Sequence, residues 1–334
     1  MLISILIPCY NEEETLIDTY SHLTKVLSND SKNKNYEYEL IFINDGSRDD
    51  TLTLIETVAN KDGKVKYISF SRNFGKEAAM LAGLKYSCGD AVIFIDADLQ
   101  HPPELIPEMI NYYMQGYDQV IAKRNRTGEK LIRKNISKLY YRLINKIVDV
   151  ELIDGIGDFR LLSSRAVEAL LSLPEYNRFS KGLFSWIGFK EKVISYENIE
   201  RSAGESKWNF KSLINYGIDG ILSFNNRPLR TIIYFGSIIT LFGLLYIIYS
   251  FTSIMLFGID QPGYFTTISA ILLIGGIQLV CTGVIGEYIG RIYYEVKNRP
   301  KFIVQETNIK KTHSKNNSRT EMKRDVEKDI STTE

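Results

Sequence analysis

Ala91-Val92-Ile93-Phe94-Ile95-Asp96-Ala97-Asp98 is a short apolar run that stops on two carboxylates set two residues apart. A run this short and this rich in apolar and β-branched residues reads as a strand buried on both faces, the kind found in parallel sheets. Charged groups do not continue into such a core, so Asp96 and Asp98 mark the strand's carboxyl end.

The same design recurs upstream. Ile3 to Ile7 precedes a helical pattern over Glu12 to Leu27, Glu39 to Ile43 precedes Asp50 to Ala59, Val65 to Phe70 precedes Lys76 to Tyr86, and Ala91 to Ile95 precedes Pro103 to Gln115. Strand and helix alternating four times predict an α/β fold with a doubly wound, mostly parallel sheet. Such sheets bind ligands beyond the carboxyl ends of their strands. Each of those ends carries polar residues that a buried strand does not need: Pro8-Cys9-Tyr10-Asn11-Glu12, Asn44-Asp45-Gly46-Ser47, Ser71-Arg72-Asn73-Phe74-Gly75-Lys76 and Asp96-Ala97-Asp98. One alone is ordinary turn or cap chemistry; four on one rim favour a site.

Thr231 to Ile259 and Gln261 to Gly286 lack any charged side chain except at Asp260, which separates them. A membrane-spanning helix needs about 20 apolar residues, so the two stretches predict a membrane hairpin. A buried helical hairpin is the bland alternative. Arg227 and Arg230 before the first stretch, and Arg291, Lys297, Arg299 and Lys301 after the second, predict that both flanks and both termini face the cytosol of a cell membrane. Met1 to Ile7 is too short and lacks the basic flank of a signal peptide, and reads as a first strand.

With 334 residues, 44% hydrophobic, and a net charge of +1, the chain can hold one sizeable core plus the hairpin. Near-neutral charge argues against nucleic acid as a partner. Cys9, Cys88 and Cys281 have no paired spacing, which excludes a disulfide framework or a cysteine metal cluster. Leu131, Ile132, Ile136, Leu139, Leu143 and Ile147 form a helical stripe among cations, and Phe210, Leu213, Ile214, Ile218 and Ile221 form a second leading into the hairpin. Amphipathic helices of this kind lie at a lipid interface; the first equally suits a core-packed helix. The expected division is a cytosolic catalytic domain over 1–208, a juxtamembrane helix over 209–228, the hairpin over 229–292, a cytosolic segment over 293–304 and a disordered polar tail over 305–334.

Asp96 and Asp98 are hard oxygen ligands at a spacing that holds Mg²⁺ or Mn²⁺ against a diphosphate. Two aspartates after a strand are a weak pattern until Leu99-Gln100-His101-Pro102-Pro103 follows them. With Pro8 to Glu12, Asn44 to Ser47 and Asn73 to Lys76, that segment closely resembles the family 2 glycosyltransferases of GT-A fold. Within them it resembles the polyprenyl-phosphate glycosyltransferases, which include dolichyl-phosphate mannose synthase and bacterial bactoprenol glucosyltransferases; the resemblance covers about residues 1 to 300.

The resemblance implies a site built as follows. Pro8, Tyr10, Asn11, Glu12, Asp45, Ser47, Lys76 and Asp96 surround the nucleotide sugar, while Asp96, Asp98 and Gln100 carry the metal. Asp158, in Gly157-Asp158-Phe159-Arg160-Leu161, is the acceptor-side catalytic residue beside Asp96 and Asp98. Arg160, Arg201, Ser206 and Lys207 meet the phosphates or the acceptor; Arg124 and Arg126, by their place after the apolar run Gln119 to Ala122, are further candidates for that work. Read without the family, Asp158 and Arg160 have the alternative of a structural ion pair, and Arg201 to Lys207 that of a surface loop. His101 reads as a loop residue supporting the metal segment, not as a ligand.

The implied reaction moves a hexose, glucose or N-acetylglucosamine, from a nucleotide diphosphate sugar to a polyprenyl phosphate such as undecaprenyl phosphate, for cell-envelope glycosylation. UDP-sugars come before GDP-mannose as donors. Family likeness further suggests a homo-oligomer and a separate flippase. A processive polysaccharide synthase would carry a Gln-x-x-Arg-Trp segment and more spans, neither visible here. A non-catalytic sugar-nucleotide-binding scaffold would have no need of intact carboxylates at Asp45, Asp96, Asp98 and Asp158.

Overall fold

A computed structural model describes residues 1–98, 100–125, 155–197, 227–257 and 263–310, with side chains given for only part of the two long helices at 227–257 and 264–297. Arg126, Arg201, Ser206, Lys207 and both amphipathic stripes lie outside the described residues. The elements run β1 (Leu2–Cys9), α1 (Leu16–Lys34), β2 (Glu37–Asn44), α2 (Thr51–Lys61), β3 (Val65–Phe70), α3 (Lys76–Tyr86), β4 (Ala91–Phe94), a 3₁₀ turn (Pro103–Leu105) and α4 (Ile106–Met114). Then follow β5 (Gln119–Arg124), β6 (Ile156–Ser163), α5 (Ser164–Ser172), α6 (Ser180–Trp186), β7 (Glu191–Tyr196), α7 (Arg227–Phe257), α8 (Tyr264–Lys297) and β8 (Val304–Thr307).

One eight-stranded sheet has the order β7-β5-β6-β4-β1-β2-β3-β8. Strands β1 to β4 run parallel, as the alternating pattern predicts. The periodicity of β1 sorts its side chains onto two cores. Ile3, Ile5 and Ile7 pack with Leu16, Leu23 and Leu27 of α1 and with Ile106, Met109 and Ile110 of α4. Leu6 packs on the other face with Ala79 and Ala82 of α3 and with Leu183 and Phe184 of α6. Small residues let α3 lie close: a Cβ on Gly83 would stand 2.7 Å from Leu6 Cδ1.

Two strands run against the rest. β6 is antiparallel to both β4 and β5 and lies between them, so β5 does not follow β4 in space as it does in sequence. β8 pairs antiparallel with β3. Here the sequence expectation is corrected: the polar tail does not begin at Gln305, because Val304–Thr307 is a strand. Phe302 stacks on Phe70 at 5.1 Å, and Asn308 both accepts from Tyr67 N–H at 2.8 Å and donates to the Val65 carbonyl at 3.1 Å. Backbone pairing to an open sheet edge supplies what the segment's own polar side chains do not.

α7 and α8 are the two long helices expected over the charge-free stretches. Tyr234, Phe235, Leu241, Phe242, Leu245, Tyr246, Leu279 and Val280 are all exposed on them. Among the described residues, no helix is long and apolar enough to cross a membrane. α8 ends at Asn298 in the left-handed conformation, φ 43°, and the chain turns back to the sheet.

Candidate active site

The parallel strands bring the four polar segments to one rim, and each loop there is braced by its neighbours. Asn11 adopts φ 52°, a conformation that asparagine tolerates better than most residues. Its N–H donates to Ser47 Oγ at 3.0 Å, and its side-chain oxygen accepts from Arg48 N–H at 2.9 Å. Glu12 N–H donates to Thr51 Oγ1 at 2.9 Å. Asn11 and Ser47 therefore join the first two rim loops, with Pro8 and Tyr10 just before Asn11 in the chain.

Asp45 is 3% exposed. Its two carboxylate oxygens accept the backbone N–H groups of Phe74 at 2.7 Å and Gly75 at 2.9 Å. Burial raises its pKa, opposed by those two N–H donors and by Arg72. Its observed work is to hold the β3–α3 loop against the end of β2. Gly46 makes the approach possible: it has φ +64°, and a Cβ there would lie 2.3 Å from the Arg72 carbonyl carbon.

Asp158 reaches the rim because β6 is antiparallel. Phe94 pairs with Arg160, and continuing that register by two residues sets Asp96 opposite Asp158. Two facing carboxylates repel, and Lys76 at the start of α3 bridges them, with Nζ at 2.6 Å from Asp96 and 2.8 Å from Asp158. Desolvation opposes charge on all three groups. The mutual attraction outweighs it, holding the Lys76 ammonium well above the usual lysine range and both carboxyls below the usual carboxylate range. Lys76, expected at the nucleotide, is seen tying Asp96 of the β4 rim loop to Asp158 of β6.

Around Asp96 the chain adds a second brace. His101 Nε2 lies 3.5 Å from Asp96 Oδ2, its Nδ1 is 2.7 Å from Tyr196 Oη, and its ring lies 5.2 Å from that of Phe159. The supporting role read for His101 fits this geometry. Burial, followed by the nearby Asp96 and Asp98 charges and opposed by Arg124, pushes the Tyr196 hydroxyl up to about 12. Tyr196 went unread in the sequence, where only Val193 and Ile194 before it mark a strand.

Asp98 Oδ1 accepts Gln100 N–H at 3.1 Å, keeping Asp98 and Gln100 beside Asp96. Among the described residues no group of three or more His, Cys, Asp or Glu forms a metal cage. Two carboxylates and an amide are nonetheless the donor chemistry Mg²⁺ takes when substrate phosphates complete its shell.

Arg160 departs from its expected place. It is 2% exposed, with its guanidinium 3.9 Å from the Phe184 ring and one N–H donating to the Gly157 carbonyl at 2.9 Å. An inward-facing position on β6 puts it beneath the rim, where it braces the strand against α6. Arg124, the last residue of β5, has an enclosed Nε with no hydrogen-bond partner among the described residues.

The chain matches Glycosyl transferase family 2 over residues 4–171 and the GtrB C-terminal hairpin over residues 227–292. CsbB of Bacillus subtilis (strain 168), a glycosyltransferase by name, is 57% identical over 308 residues, covering 92% of each chain. The SfII prophage-derived bactoprenol glucosyl transferase of Shigella flexneri is 44% identical over 317 residues, covering 95% of this chain and 100% of its own. The Synechocystis sp. (strain ATCC 27184 / PCC 6803 / Kazusa) glycosyltransferase sll0501 is 42% identical over 305 residues, covering 91% and 95%. A doubly wound sheet with paired carboxylates on its rim, followed by a matching hairpin, makes this chain a family 2 glycosyltransferase of the group that ends in the GtrB hairpin.

Proposed function

We propose that the chain transfers glucose from UDP-glucose to a polyprenyl phosphate at a membrane surface, with inversion at the sugar's anomeric carbon. The observation that carries this reading is the Asp96–Lys76–Asp158 bridge on the rim, in a chain whose hairpin leaves large apolar side chains exposed. Exposed apolar surface of that extent suits lipid. The relatives named as bactoprenol glucosyl transferases favour glucose and a polyprenyl phosphate over N-acetylglucosamine or a polymer acceptor.

The acceptor decides the chemistry. A phosphate monoester has a second pKa near 6, so its attacking oxygen is already deprotonated near neutral pH and needs no strong base. That oxygen bonds to the anomeric carbon as the bond to the nucleotide diphosphate breaks, in one in-line step. Asp158, kept ionised by Lys76, orients the sugar and does not take a proton. Pro8, Tyr10, Glu12 and the braced Asn11–Ser47 loops hold the nucleotide. Arg124, joined by Arg126, Arg201, Ser206 and Lys207, binds phosphate. Asp96, Asp98 and Gln100 would hold Mg²⁺ or Mn²⁺, which would neutralise charge on the departing diphosphate.

The test is direct. Membranes carrying the protein are incubated with polyprenyl phosphate and radiolabelled UDP-glucose, UDP-N-acetylglucosamine or GDP-mannose, with and without chelator. Label entering the lipid phase from UDP-glucose, and lost with chelator, is expected. No transfer from any donor, with nucleotide binding intact, overturns the reading in favour of a binding scaffold.

A further inference from the structure

Glu77 follows Lys76 in the first turn of α3, and its contacts lead away from the carboxylate pair. Its oxygens accept the backbone N–H of Ser180 at 3.1 and 3.3 Å, and one of them also accepts the Ser180 hydroxyl. Ser180 opens α6, which carries Phe184 under Arg160. Lys76 and Glu77 thus bind two different parts of the molecule from one helical turn.

The other end of the same segment meets the hairpin. Tyr176 N–H donates to Glu295 Oε1 at 2.6 Å, and the Tyr176 ring stacks on Tyr294 at 5.6 Å with 9° between planes. Lys301 Nζ donates to the Pro174 carbonyl at 2.9 Å and to that of Glu175. Arg178 braces the segment to α5 by donating to the Leu170 and Leu173 carbonyls. Residues 174–180 therefore run from the end of α8 to the helix that carries Lys76.

The reaction makes such a link consequential. An acceptor phosphate held at the membrane must come within about 3–3.5 Å of the sugar carbon, and a displacement of about 1 Å costs up to about 100-fold in rate. The sheet holds the sugar and the hairpin sets the membrane's level. We infer that Glu77 is a positioning residue: by clamping Ser180 it makes the 174–180 segment a fixed spacer between the cytosolic end of α8 and the Lys76–Asp96–Asp158 cluster. This rests on reading the chain as a membrane-borne sugar transferase.

The experiment uses the full chain in lipid nanodiscs with polyprenyl phosphate and UDP-glucose. E77A and E295A should each lower kcat by about tenfold or more, with the Kd for UDP unchanged. E77Q, which keeps an acceptor oxygen for Ser180, should recover part of the loss, and E77A/E295A should be no slower than E77A. Full activity in E295A, or matched losses of kcat and UDP affinity in E77A, would overturn the spacer. A wild type that moves no sugar defeats the parent reading, and amide hydrogen exchange then decides the clamp by itself. E77A should speed exchange across 174–180 and at 294–297; unchanged rates at 294–297 would sink it.

Discussion

At the scale of single residues, the site is a set of charges whose partners restrict what each can do. Asp96 shares Lys76 with Asp158 and lies beside Asp98 and His101. D96N removes the anchor of that bridge together with a proposed metal ligand and should cost about 10²–10³ in kcat. D158N should cost about 10–100-fold while leaving the pH profile of transfer in place; loss of the alkaline limb with rescue by external bases would make Asp158 a base after all. Glu77 gives a pH test of stability. Burial pushes its pKa up to about 7 from 4.5, with Asp158 adding and the Ser180 donors opposing. Between those values the folded chain keeps a proton that the unfolded chain releases, so stability falls as pH rises through that window and the loss is complete above it. The unfolding midpoint in nanodiscs should drop between pH 5 and pH 8, and E77Q should flatten that drop. Gly46→Ala should abolish a folded rim, read as lost UDP binding, since its Cβ would meet backbone and not a yielding side chain.

At the scale of elements, β8 closes an edge that β3 would otherwise leave open. Phe302, partly buried and stacked on Phe70, is the anchor of that closure. F302A should cost about 2 kcal/mol of stability, by analogy with incomplete aromatic truncations, seen as a lower unfolding midpoint. Truncation after Lys301 should do the same and favour edge-to-edge aggregation, whereas truncation after Lys310 should leave transfer unchanged. An equal effect of both truncations would show that β8 contributes nothing.

At the scale of the whole molecule, the sheet's last strand before the two long helices, β7, ends at Tyr196, and after those helices the chain rejoins the same sheet at Val304. Any membrane crossings in between must therefore be even in number, as a two-helix hairpin requires. This return keeps β8 and the rest of the sheet on one side of any membrane the helices cross, and the proposed hairpin insertion puts Gly263 on the other. A membrane-impermeant maleimide should label Gly263→Cys from one face of sealed vesicles and the exposed native Cys88 only from the opposite face. Labelling of both from the same face would refute insertion.

Much of this was legible in the order of residues. Local periodicity marks β1 to β4 and α1 to α4, because alternation and apolar runs depend on near neighbours. The four polar segments declare a rim, and the charge-free stretches declare two long helices. What the chain alone could not state is which distant segments meet. Only the tertiary structure inserts β6 backwards beside β4, which carries Asp158 to Asp96. Only it adds β8 to the edge of β3, buries Arg160 against the Phe184 ring, and commits Asp45 to the Phe74 and Gly75 amides. Strand pairing and side-chain burial between segments far apart in sequence leave little periodic trace, because backbone hydrogen bonds and close packing accept many side chains in the same place.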